Sequence, residues 1–285
     1  MNLPFQIDLN GKVAVVTGGG GVLCSTFAQA LAKCGAKLAI LDIRKEQADR
    51  VAEDINNFGG TAIGVEANVL KKESLEKAHK IIKKELGSCD ILLNGAGGNH
   101  PKGTTTKEYL YPEDVGHSRD DLVTFFDLDS EGVQFVFNLN FIGTLLPTQV
   151  FSKDMIDKDD TVIINVSSMN AFTPLTKIPA YSAAKSAVSN FTEWLAVHMS
   201  KVNIRVNAIA PGFFLTDQNR SLLMNEDGSF TERAEKILAQ TPVERFGKPE
   251  ELVGTLLWLV DRGASGFVNG TVIPVDGGFS AYSGV

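Results

Sequence analysis

Seven short runs of aliphatic and β-branched residues recur along the chain, and segments with helical periodicity separate the first four of them. The runs are KVAVVT at 12–17, KLAILD at 37–42, TAIGVEA at 61–67, CDILLN at 89–94, TVIINVS at 161–167, IRVNAIA at 204–210 and TVIPVD at 271–276. The separating segments are STFAQALAKCGA at 25–36, QADRVAEDINNFG at 47–59 and KESLEKAHKIIKKELG at 72–87. Strands that alternate with helices of this length predict βαβ units. We therefore expect a single α/β domain over residues 1–285, with a doubly wound, seven-stranded parallel sheet and helices on both faces.

One long segment, residues 98–132, breaks this alternation. It is rich in turn-forming and acidic residues and begins just after the fourth predicted strand, where open α/β sheets bind ligands. Such a segment is either a lid over the substrate or a disordered loop. Four aromatic residues, Tyr109, Tyr111, Phe125 and Phe126, give the segment something to bury and favour the lid.

Composition narrows the classes of partner. The formal charge of −7 and the pI near 5.2 disfavour a surface that binds nucleic acid or anionic membranes. Three cysteines without CxxC spacing and four histidines predict neither a disulfide framework nor a metal site. The chain begins without a basic segment followed by an apolar one, and apolar runs such as 256–260 are far too short to span a membrane. We expect a cytoplasmic protein without metal, nucleic-acid or membrane partners.

The sequence TGGGGVLC at 17–24 lies between the first predicted strand and the following helix. Glycines at such a turn let the backbone turn tightly and approach a pyrophosphate at the helix N-terminus, although a tight turn without a ligand remains an alternative. Asp42 ends the next strand, where a carboxylate can bind the adenosine ribose and repel a 2'-phosphate. This favours NAD(H), while the nearby Arg44 leaves NADP(H) open.

The sequence YSAAK places Tyr181 and Lys185 four residues apart and thus on one face of a predicted helix. A tyrosine needs its pKa lowered by about three units, or ~4 kcal/mol, to act as a base near pH 7. One ammonium ~4 Å away supplies that much at an effective dielectric constant of ~20. Ser168 follows a predicted strand and could reach the same crevice, where its hydroxyl would bind a substrate oxygen. The alternatives are a solvated helix face and a serine that caps a turn.

These motifs resemble the classical short-chain dehydrogenase/reductase family from one end of the chain to the other. The resemblance includes TGGGGVLC, NGAG at 94–97, NFIG at 140–143, Ser168, YSAAK, RVNAIAPG at 205–212 and DGG at 276–278. It implies a Rossmann fold, NAD(H) as cofactor, a homotetramer and a catalytic tetrad of Asn140, Ser168, Tyr181 and Lys185. In that tetrad Tyr181 is the acid or base, Ser168 binds the substrate oxygen, Lys185 holds the ribose and tunes the tyrosine, and Asn140 holds a proton-relay water.

The resemblance also implies a set of cofactor contacts. Val22 and Cys24 stand where the family has its second and third glycines, so Gly19–Gly21 are expected to provide the close approach. Asn68 is expected at the adenine ring and Thr216 at the nicotinamide carboxamide. The implied contacts are Gly18, Gly20, Gly21, Val22, Leu23, Asp42, Asn68, Val69, Asn94, Ala96, Gly97, Tyr181, Lys185, Pro211, Gly212, Phe214 and Thr216.

Within the family the chain is most similar to the D-mannonate oxidoreductases, also called fructuronate reductases, and the similarity extends through residues 98–132. This implies a sugar-acid substrate and interconversion of D-mannonate with D-fructuronate. Such a substrate needs a cation for its carboxylate and polar groups for its hydroxyls. The candidates are Asn99, His100, Lys102, Asn170, Lys177, Gln218 and Arg220. Another sugar-acid or polyol dehydrogenase, such as a gluconate 5-dehydrogenase, and a non-catalytic nucleotide sensor are the alternatives.

Overall fold

All seven predicted strands form one parallel sheet. The computed structural model describes residues 7–116, 121–156, 158–216 and 219–284. The strands are β1 Val13–Thr17, β2 Lys37–Asp42, β3 Thr61–Glu66, β4 Ile91–Asn94, β5 Thr161–Val166, β6 Ile204–Pro211 and β7 Val272–Val275. Their order in the sheet is β3-β2-β1-β4-β5-β6-β7, with every neighbouring pair parallel. This confirms the predicted sheet.

Helices cover both faces of this sheet, as the alternating sequence pattern predicts. The α-helices are α1 Val22–Lys33, α2 Lys45–Asn57, α3 Lys72–Glu85, α4 Ser130–Phe137, α5 Gly143–Phe151, α6 Pro179–His198, α7 Arg220–Leu223, α8 Glu232–Ala239, α9 Val253–Val260 and α10 Arg262–Ser265. A π-helical segment, Asn138–Ile142, joins α4 to α5. Across the described ranges, no helix is long and apolar enough to cross a membrane.

Alternate residues of each strand face opposite helical layers. In β1, Ala14 and Val16 pack in the core cluster that contains α1, α2 and α9. Val13 and Val15 pack in the cluster that contains α3, α5 and α6. Because both sheet faces are covered, the strands are continuous apolar runs rather than an alternation of apolar and polar residues. The chain order reverses between β1 and β4, so a crevice opens at the carboxyl ends of these two strands.

Helix α1 begins at Val22, three residues before the start of the predicted segment at Ser25. Gly21 precedes it in an extended conformation, and the Ser25 N–H donates to the Gly21 carbonyl at 2.8 Å. This hydrogen bond closes the first helical turn inside the glycine-rich motif. The turn between β1 and α1 is therefore shorter than the sequence pattern predicts.

The described residues between 98 and the start of α4 form turns and short 3-10 helices that lead into α4. The 3-10 helices are Pro101–Gly103, Pro112–Asp114 and Phe125–Asp127. The aromatic residues expected to be buried here are exposed instead: Tyr109 by 68%, Tyr111 by 49%, Phe125 by 69% and Phe126 by 67%. Polar contacts order the described part of the segment, including the Lys107–Asp114 ion pair and the hydrogen bonds between Thr124 and Asp127. The role of this segment as a lid stays a prediction.

Candidate active site

The glycine-rich turn brings the chain close to the end of β4. Gly18 has φ +62°, and a Cβ atom there would lie 2.8 Å from the Cα atom of Ala96. A side chain at Gly19 would instead contact Ile40 at 2.7 Å, so Gly19 packs against β2. The predicted close approach of Gly19 is therefore to the sheet, whereas Gly18 and Gly21 line the cavity described below. The turn needs glycine at positions 18 and 19 because a side chain there would collide with Ala96 or Ile40.

The Cys24 side chain fills space that is free because Gly95, directly after β4, has no side chain. A Cβ atom on Gly95 would lie 2.1 Å from the Cys24 Sγ atom, far inside van der Waals contact. The thiol is buried, and burial raises its pKa to about 12. Cys24 in the place of the family's third glycine is thus accommodated by the missing side chain of Gly95, and α1 still packs closely on the sheet.

The end of β2 holds a carboxylate in a fixed orientation. Asp42 Oδ2 accepts a hydrogen bond from the Gly20 N–H at 3.2 Å, and Oδ1 accepts one from the Arg44 N–H at 3.0 Å. Asp42 is buried at the wall of the cavity, and Arg44 lies beside it on the same wall. The carboxylate expected to bind a ribose is therefore held by the backbone of the glycine turn itself.

A cavity of about 440 Å³ lies at the carboxyl ends of the strands. It is lined by Gly18, Gly21, Val22, Leu23, Cys24, Asp42, Arg44, Gly95, Ala96, Gly97, Val166, Ser167, Ser168, Tyr181, Lys185, Pro211 and Gly212. Most of the predicted cofactor residues are in this lining. Gly95, Val166 and Ser167 are not among the predicted contacts, although each adjoins a predicted residue or ends a strand at the crevice.

Six predicted cofactor contacts lie outside this lining: Gly20, Asn68, Val69, Asn94, Phe214 and Thr216. The Asn68 side chain accepts a hydrogen bond from the Leu70 N–H at 2.9 Å and stabilises its own turn. Phe214 is 7% exposed and packs in the apolar core, and its predicted cofactor contact stays a prediction. The Thr216 N–H donates to Asn219 Oδ1 at 2.8 Å.

The Asn94 side chain belongs to a buried polar network, and the predicted cofactor contact at this residue stays a prediction. Its Nδ2 donates to Thr148 Oγ1 of α5 and to Asn165 Oδ1 of β5, both at 2.9 Å. Asn165 Nδ2 in turn donates to Thr192 Oγ1 of α6 at 2.9 Å. Asn94, Thr148, Asn165 and Thr192 are all at most 2% exposed. We name these four residues the Asn–Thr network, which joins α5 to α6 across two strands.

The direction of every hydrogen bond in the Asn–Thr network is fixed. The Thr148 and Thr192 hydroxyls donate their protons to the carbonyls of Thr144 and Val188, both at 2.8 Å. Each hydroxyl can therefore only accept from an asparagine, so both amides must present their nitrogen to a threonine. Asn94 consequently donates twice, and its Oδ1 finds no hydrogen-bond partner among the described residues.

Asn140 lies in the π-helical segment and is fully buried. Its Nδ2 donates to the carbonyls of Gly98 and Val136, both at 2.8 Å, and its Oδ1 accepts from the Gly98 N–H at 3.2 Å. A Cβ atom on Gly97 would lie 2.6 Å from Asn140 Oδ1 and 3.1 Å from Lys185 Nζ. The backbone of Gly97 thus lies close to two members of the predicted tetrad. π-Helical segments often occur at functional sites.

Ser168, Tyr181 and Lys185 meet on one wall of the cavity. Tyr181 and Lys185 project from the first turns of α6, and the Tyr181 phenol hydrogen-bonds to Ser168. Lys185 Nζ donates to the Val166 carbonyl at 2.8 Å and lies 5.7 Å from the centre of the Tyr181 ring. The side chains of the predicted Ser–Tyr–Lys group are thus brought together by β5 and α6.

The predicted lowering of the tyrosine pKa by the lysine is wrong for this structure. Burial raises the pKa of the Tyr181 phenol, and the hydrogen bond with Ser168 opposes that effect without overcoming it. Burial also lowers the pKa of the Lys185 ammonium to about 8. Desolvation disfavours the charged form of both groups, so spacing along the helix alone gives the wrong sign.

The predicted substrate residues differ in the contacts that their side chains make with the rest of the protein. Asn99 Nδ2 donates to Thr104 Oγ1 at 3.0 Å, and His100 Nδ1 accepts from the Lys102 N–H at 3.2 Å. Lys102 Nζ forms an ion pair with Asp129 at 3.1 Å. These contacts lie within residues 98–132 and oppose the predicted substrate role of Lys102, whose charge is already neutralised.

The remaining candidates lie on two other segments, and none of the described ones is in the cavity lining. Asn170 is buried in the 3-10 helix after Ser168, and Lys177 is half-buried shortly before α6. Arg220 is exposed at the first residue of α7. Gln218 lies outside the described residues. No group of three or more metal-ligating side chains occurs in the part of the chain that the structure describes.

A dinucleotide cradle next to a serine, a tyrosine and a lysine is the arrangement of a nicotinamide-dependent oxidoreductase. The family model described as short chain dehydrogenase matches residues 12–227. The chain therefore belongs to the short-chain dehydrogenase family, whose members use nicotinamide cofactors. This confirms the resemblance seen in the sequence motifs.

Three relatives place the chain more closely within the family. An uncharacterised oxidoreductase of Haemophilus influenzae is 56% identical over 285 residues, which cover 100% of this chain and 99% of the relative. A 5-keto-D-gluconate 5-reductase of Escherichia coli is 31% identical, with 95% of this chain and 96% of the relative covered. A crystal structure of a candidate D-mannonate oxidoreductase from Haemophilus influenza, with bound NAD, superposes with a TM-score of 0.93 at 56% identity over 100% of both chains.

Proposed function

We propose that the protein is an NAD(H)-dependent oxidoreductase that interconverts a secondary alcohol and a ketone in a sugar acid, with D-mannonate and D-fructuronate as the pair. The observation that carries this proposal is the cavity itself, which has Asp42 on one wall and the hydrogen-bonded Ser168 and Tyr181 on another. Such an enzyme needs a carboxylate that binds the ribose and a phenol that gives or takes a proton.

The residues of the cavity fit NAD(H). The side-chain-free turn at Gly18 and Gly21 leaves room for the pyrophosphate at the N-terminus of α1, and Asp42 is oriented for the ribose hydroxyls. The Asp42 charge disfavours a 2'-phosphate. The backbone N–H of Arg44 donates to Asp42, and because this group is neutral it does not cancel the carboxylate charge. When bound, NAD(H) supplies or accepts the hydride.

Tyr181 and Ser168 would act on the substrate oxygen. In the direction of ketone reduction, the Tyr181 phenol gives its proton to the oxygen as the carbonyl carbon receives hydride, and Ser168 donates a hydrogen bond to the same oxygen. In the reverse direction the phenolate takes the alcohol proton. Lys185 Nζ lies 5.7 Å from the centre of the Tyr181 ring and lines the same cavity, where it would hold the ribose of the cofactor.

The choice of substrate rests on the relatives. The structure with a TM-score of 0.93 and 56% identity is described as a candidate D-mannonate oxidoreductase. The E. coli 5-keto-D-gluconate 5-reductase, at 31% identity, favours a 5-keto-hexonate as the second candidate substrate. Both candidates are keto acids of six-carbon sugars, so the class of substrate is the same.

The test follows the absorbance of NADH and of NADPH at 340 nm with D-fructuronate and 5-keto-D-gluconate. We expect the highest kcat/KM with D-fructuronate and NADH. A Tyr181→Phe variant should bind NADH with unchanged Kd and lose at least ~10³-fold in kcat, since the acid or base is gone. NADH binding without turnover of any keto acid would instead support a nucleotide sensor, and turnover retained by Tyr181→Phe would refute the assigned role.

We also propose a homotetramer, because members of this family are often tetramers. The outer face of α6 supports an interface there. Trp194 is 56% exposed and stacks on Phe191 at 6.1 Å and on His198 at 4.8 Å, and Val197 is 76% exposed. Sedimentation equilibrium should give four times the chain mass of 30.7 kDa, and Trp194→Glu should shift it to smaller species. A monomer at micromolar concentration would contradict this proposal.

A further inference from the structure

We propose that Lys177 selects substrates that carry a carboxylate, by binding that group with its ammonium. The inference rests on the proposed function, which assigns the substrate class, and it names the residue that enforces the class. Lys177 lies in the loop between Ser168 and α6, four residues before Tyr181. A group bound by Lys177 would thus belong to a substrate whose carbonyl is at Tyr181.

The backbone of Lys177 has an unusual conformation. Its φ is +70°, in the left-handed region. For residues other than glycine and asparagine this conformation costs roughly 1 kcal/mol or more. The Lys177 carbonyl accepts a hydrogen bond from the Thr105 N–H at 2.8 Å, which ties the loop to residues 98–132. Because glycine or asparagine would fit this position at lower cost, the lysine side chain itself is the feature to be explained.

Ion pairing distinguishes Lys177 from three other lysines of the proposed substrate segments. Lys102 is paired with Asp129 at 3.1 Å, and Lys107 is paired with Asp114. Lys236 of α8 is paired with Glu108 at 3.5 Å and Glu232 at 3.2 Å.

Lys177 forms no ion pair with any residue in the described ranges. The residue as a whole is half-buried. A cation without a counter-charge can bind an anion without first giving up another ionic partner. Arg220 is likewise unpaired among the described residues but is exposed, which makes it the weaker anchor.

Asn170 on the same loop favours a polyhydroxy ligand. It is 4% exposed, its N–H donates to Ser168 Oγ at 3.3 Å, and its Oδ1 has no hydrogen-bond partner among the described residues. A buried acceptor without a donor costs about 1–3 kcal/mol. A sugar acid brings hydroxyl donors for such a group together with a carboxylate for Lys177, so both observations fit one ligand class.

The test compares acids with neutral ketoses. D-fructuronate and 5-keto-D-gluconate are the acids, and D-fructose and L-sorbose are the neutral probes, each with saturating NADH. The variants are Lys177→Asn, which removes the charge and tolerates the left-handed backbone, and Lys177→Arg, which keeps the charge. Lys236→Gln is the matched control, since it removes a cation that is already paired.

We expect Lys177→Asn to raise the KM for the acids by about 10- to 100-fold, with kcat within about threefold, because ground-state binding is lost. Its kcat/KM for the ketoses should stay within about twofold, so selectivity for acids falls by the same factor. Lys177→Arg should recover most of the selectivity, and Lys236→Gln should not change it.

If Lys177→Asn lowered kcat/KM equally for acids and ketoses, the role of Lys177 would be structural and the inference would be overturned. An unchanged KM for the acids would overturn it as well, and an Arg220→Gln variant that alone raised this KM would assign the carboxylate to Arg220. If the unaltered protein reduces ketoses but no keto acid, the proposed function fails first. If it reduces keto acids and Lys177→Asn has no effect on KM, only the inference about Lys177 fails.

Discussion

The cavity at the strand ends, where we propose that NAD(H) binds, is built differently from residues 98–132 and α8, where we propose that the substrate binds. We call the first the cofactor side and the second the substrate side. On the cofactor side, the contacting residues end or directly follow strands of one sheet, and behind them lies the fully buried Asn–Thr network. On the substrate side, the residues lie in loops and short helices, the aromatic rings of residues 98–132 face solvent, and exposed ion pairs connect the segments. One side is fixed by close packing and the other by a few polar contacts.

This difference predicts where a mutation affects stability and where it affects selectivity. Close-packed regions do not deform gradually, so a change of one methyl group on the cofactor side has a large free-energy cost. Loops with exposed ion pairs lose little when one pair is removed. The cofactor side should therefore respond to mutation with unfolding or lost nucleotide affinity, and the substrate side mainly with altered KM.

The largest effect is expected from Gly95→Ala. The added methyl group would lie 2.1 Å from the Cys24 Sγ atom, and neither β4's end nor α1 can move without disturbing the sheet. We expect the free energy of unfolding to fall by about 3 kcal/mol and NADH to bind more than about tenfold more weakly. Urea unfolding and NADH fluorescence titration measure the two quantities.

The double variant Cys24→Ala with Gly95→Ala is the control for this steric explanation. Removing the thiol makes room for the new methyl group, so the double variant should recover most of the stability and nucleotide affinity. If Gly95→Ala alone leaves both quantities unchanged, the close contact between Cys24 and Gly95 does not constrain the site.

An effect of similar size but opposite sign is expected from Lys185→Met, and it should depend on pH. Burial lowers the pKa of Lys185 to about 8 from its ordinary value of 10.5, so below about pH 8 the folded state carries an ammonium that is better solvated in the unfolded chain. The variant should then be more stable than the original protein at pH 7, by about 3 kcal/mol from this group.

The sign of the pH dependence follows from the same shift. Between about pH 8 and pH 10.5 the unfolded chain binds the proton more strongly than the folded one, so the stability of the original protein rises with pH relative to that of the variant. Urea unfolding at pH 7 and pH 10 should show most of the difference disappearing. A stability difference that does not change with pH would mean that Lys185 titrates equally in both states.

An intermediate effect is expected from Asn165→Val, which breaks the Asn–Thr network. The change removes the acceptor for Asn94 and the donor to Thr192 and leaves buried groups without partners. We expect a loss of about 2 kcal/mol in the free energy of unfolding. Adding Thr192→Val should cost less than the single effects summed, because the two residues share one hydrogen bond. Strict additivity in urea unfolding would contradict a connected network.

The smallest effect is expected from Lys236→Gln on the substrate side. Its ion pair with Glu108 at 3.5 Å connects α8 to residues 98–132, but the lysine side chain is 57% exposed. Such pairs contribute about 0.2–1 kcal/mol and weaken in salt. Thermal unfolding in low and high salt should differ little between the variant and the original protein. A loss above about 1 kcal/mol would show that the substrate side is held more tightly than its exposed contacts indicate.

The sequence predicts the cofactor side well because strand ends carry the chemistry there. A strand that ends at Asp42 and a helix that holds Tyr181 and Lys185 on one face follow directly from the hydrophobic pattern. The direction of the Asn94 side chain was also accessible. Leu92 faces the layer of α5 and α6, and residues two apart in a strand share a face, so the Asn94 side chain points to these helices.

Other features depend on packing that the sequence pattern does not contain. The pKa direction of Tyr181 is set by burial rather than by the lysine one turn away, and burial depends on which loops close over α6. The aromatic residues of residues 98–132 are exposed although their composition predicts burial. The left-handed conformation of Lys177 depends on a hydrogen bond from Thr105, which is 72 residues earlier in the chain (177 − 105).

The buried amides of the Asn–Thr network must donate to the threonine hydroxyls. Replacing such an amide by a side chain of equal shape but different hydrogen-bonding groups therefore destabilises the protein more than a change of shape does. Asn94→Asp would keep every heavy atom in place but would turn a double donor into an acceptor facing Thr148 Oγ1 and Asn165 Oδ1. Neither of those oxygens has a proton to offer, so an unbalanced negative charge would sit in the centre of the molecule. At this position, chemical identity is constrained more tightly than volume.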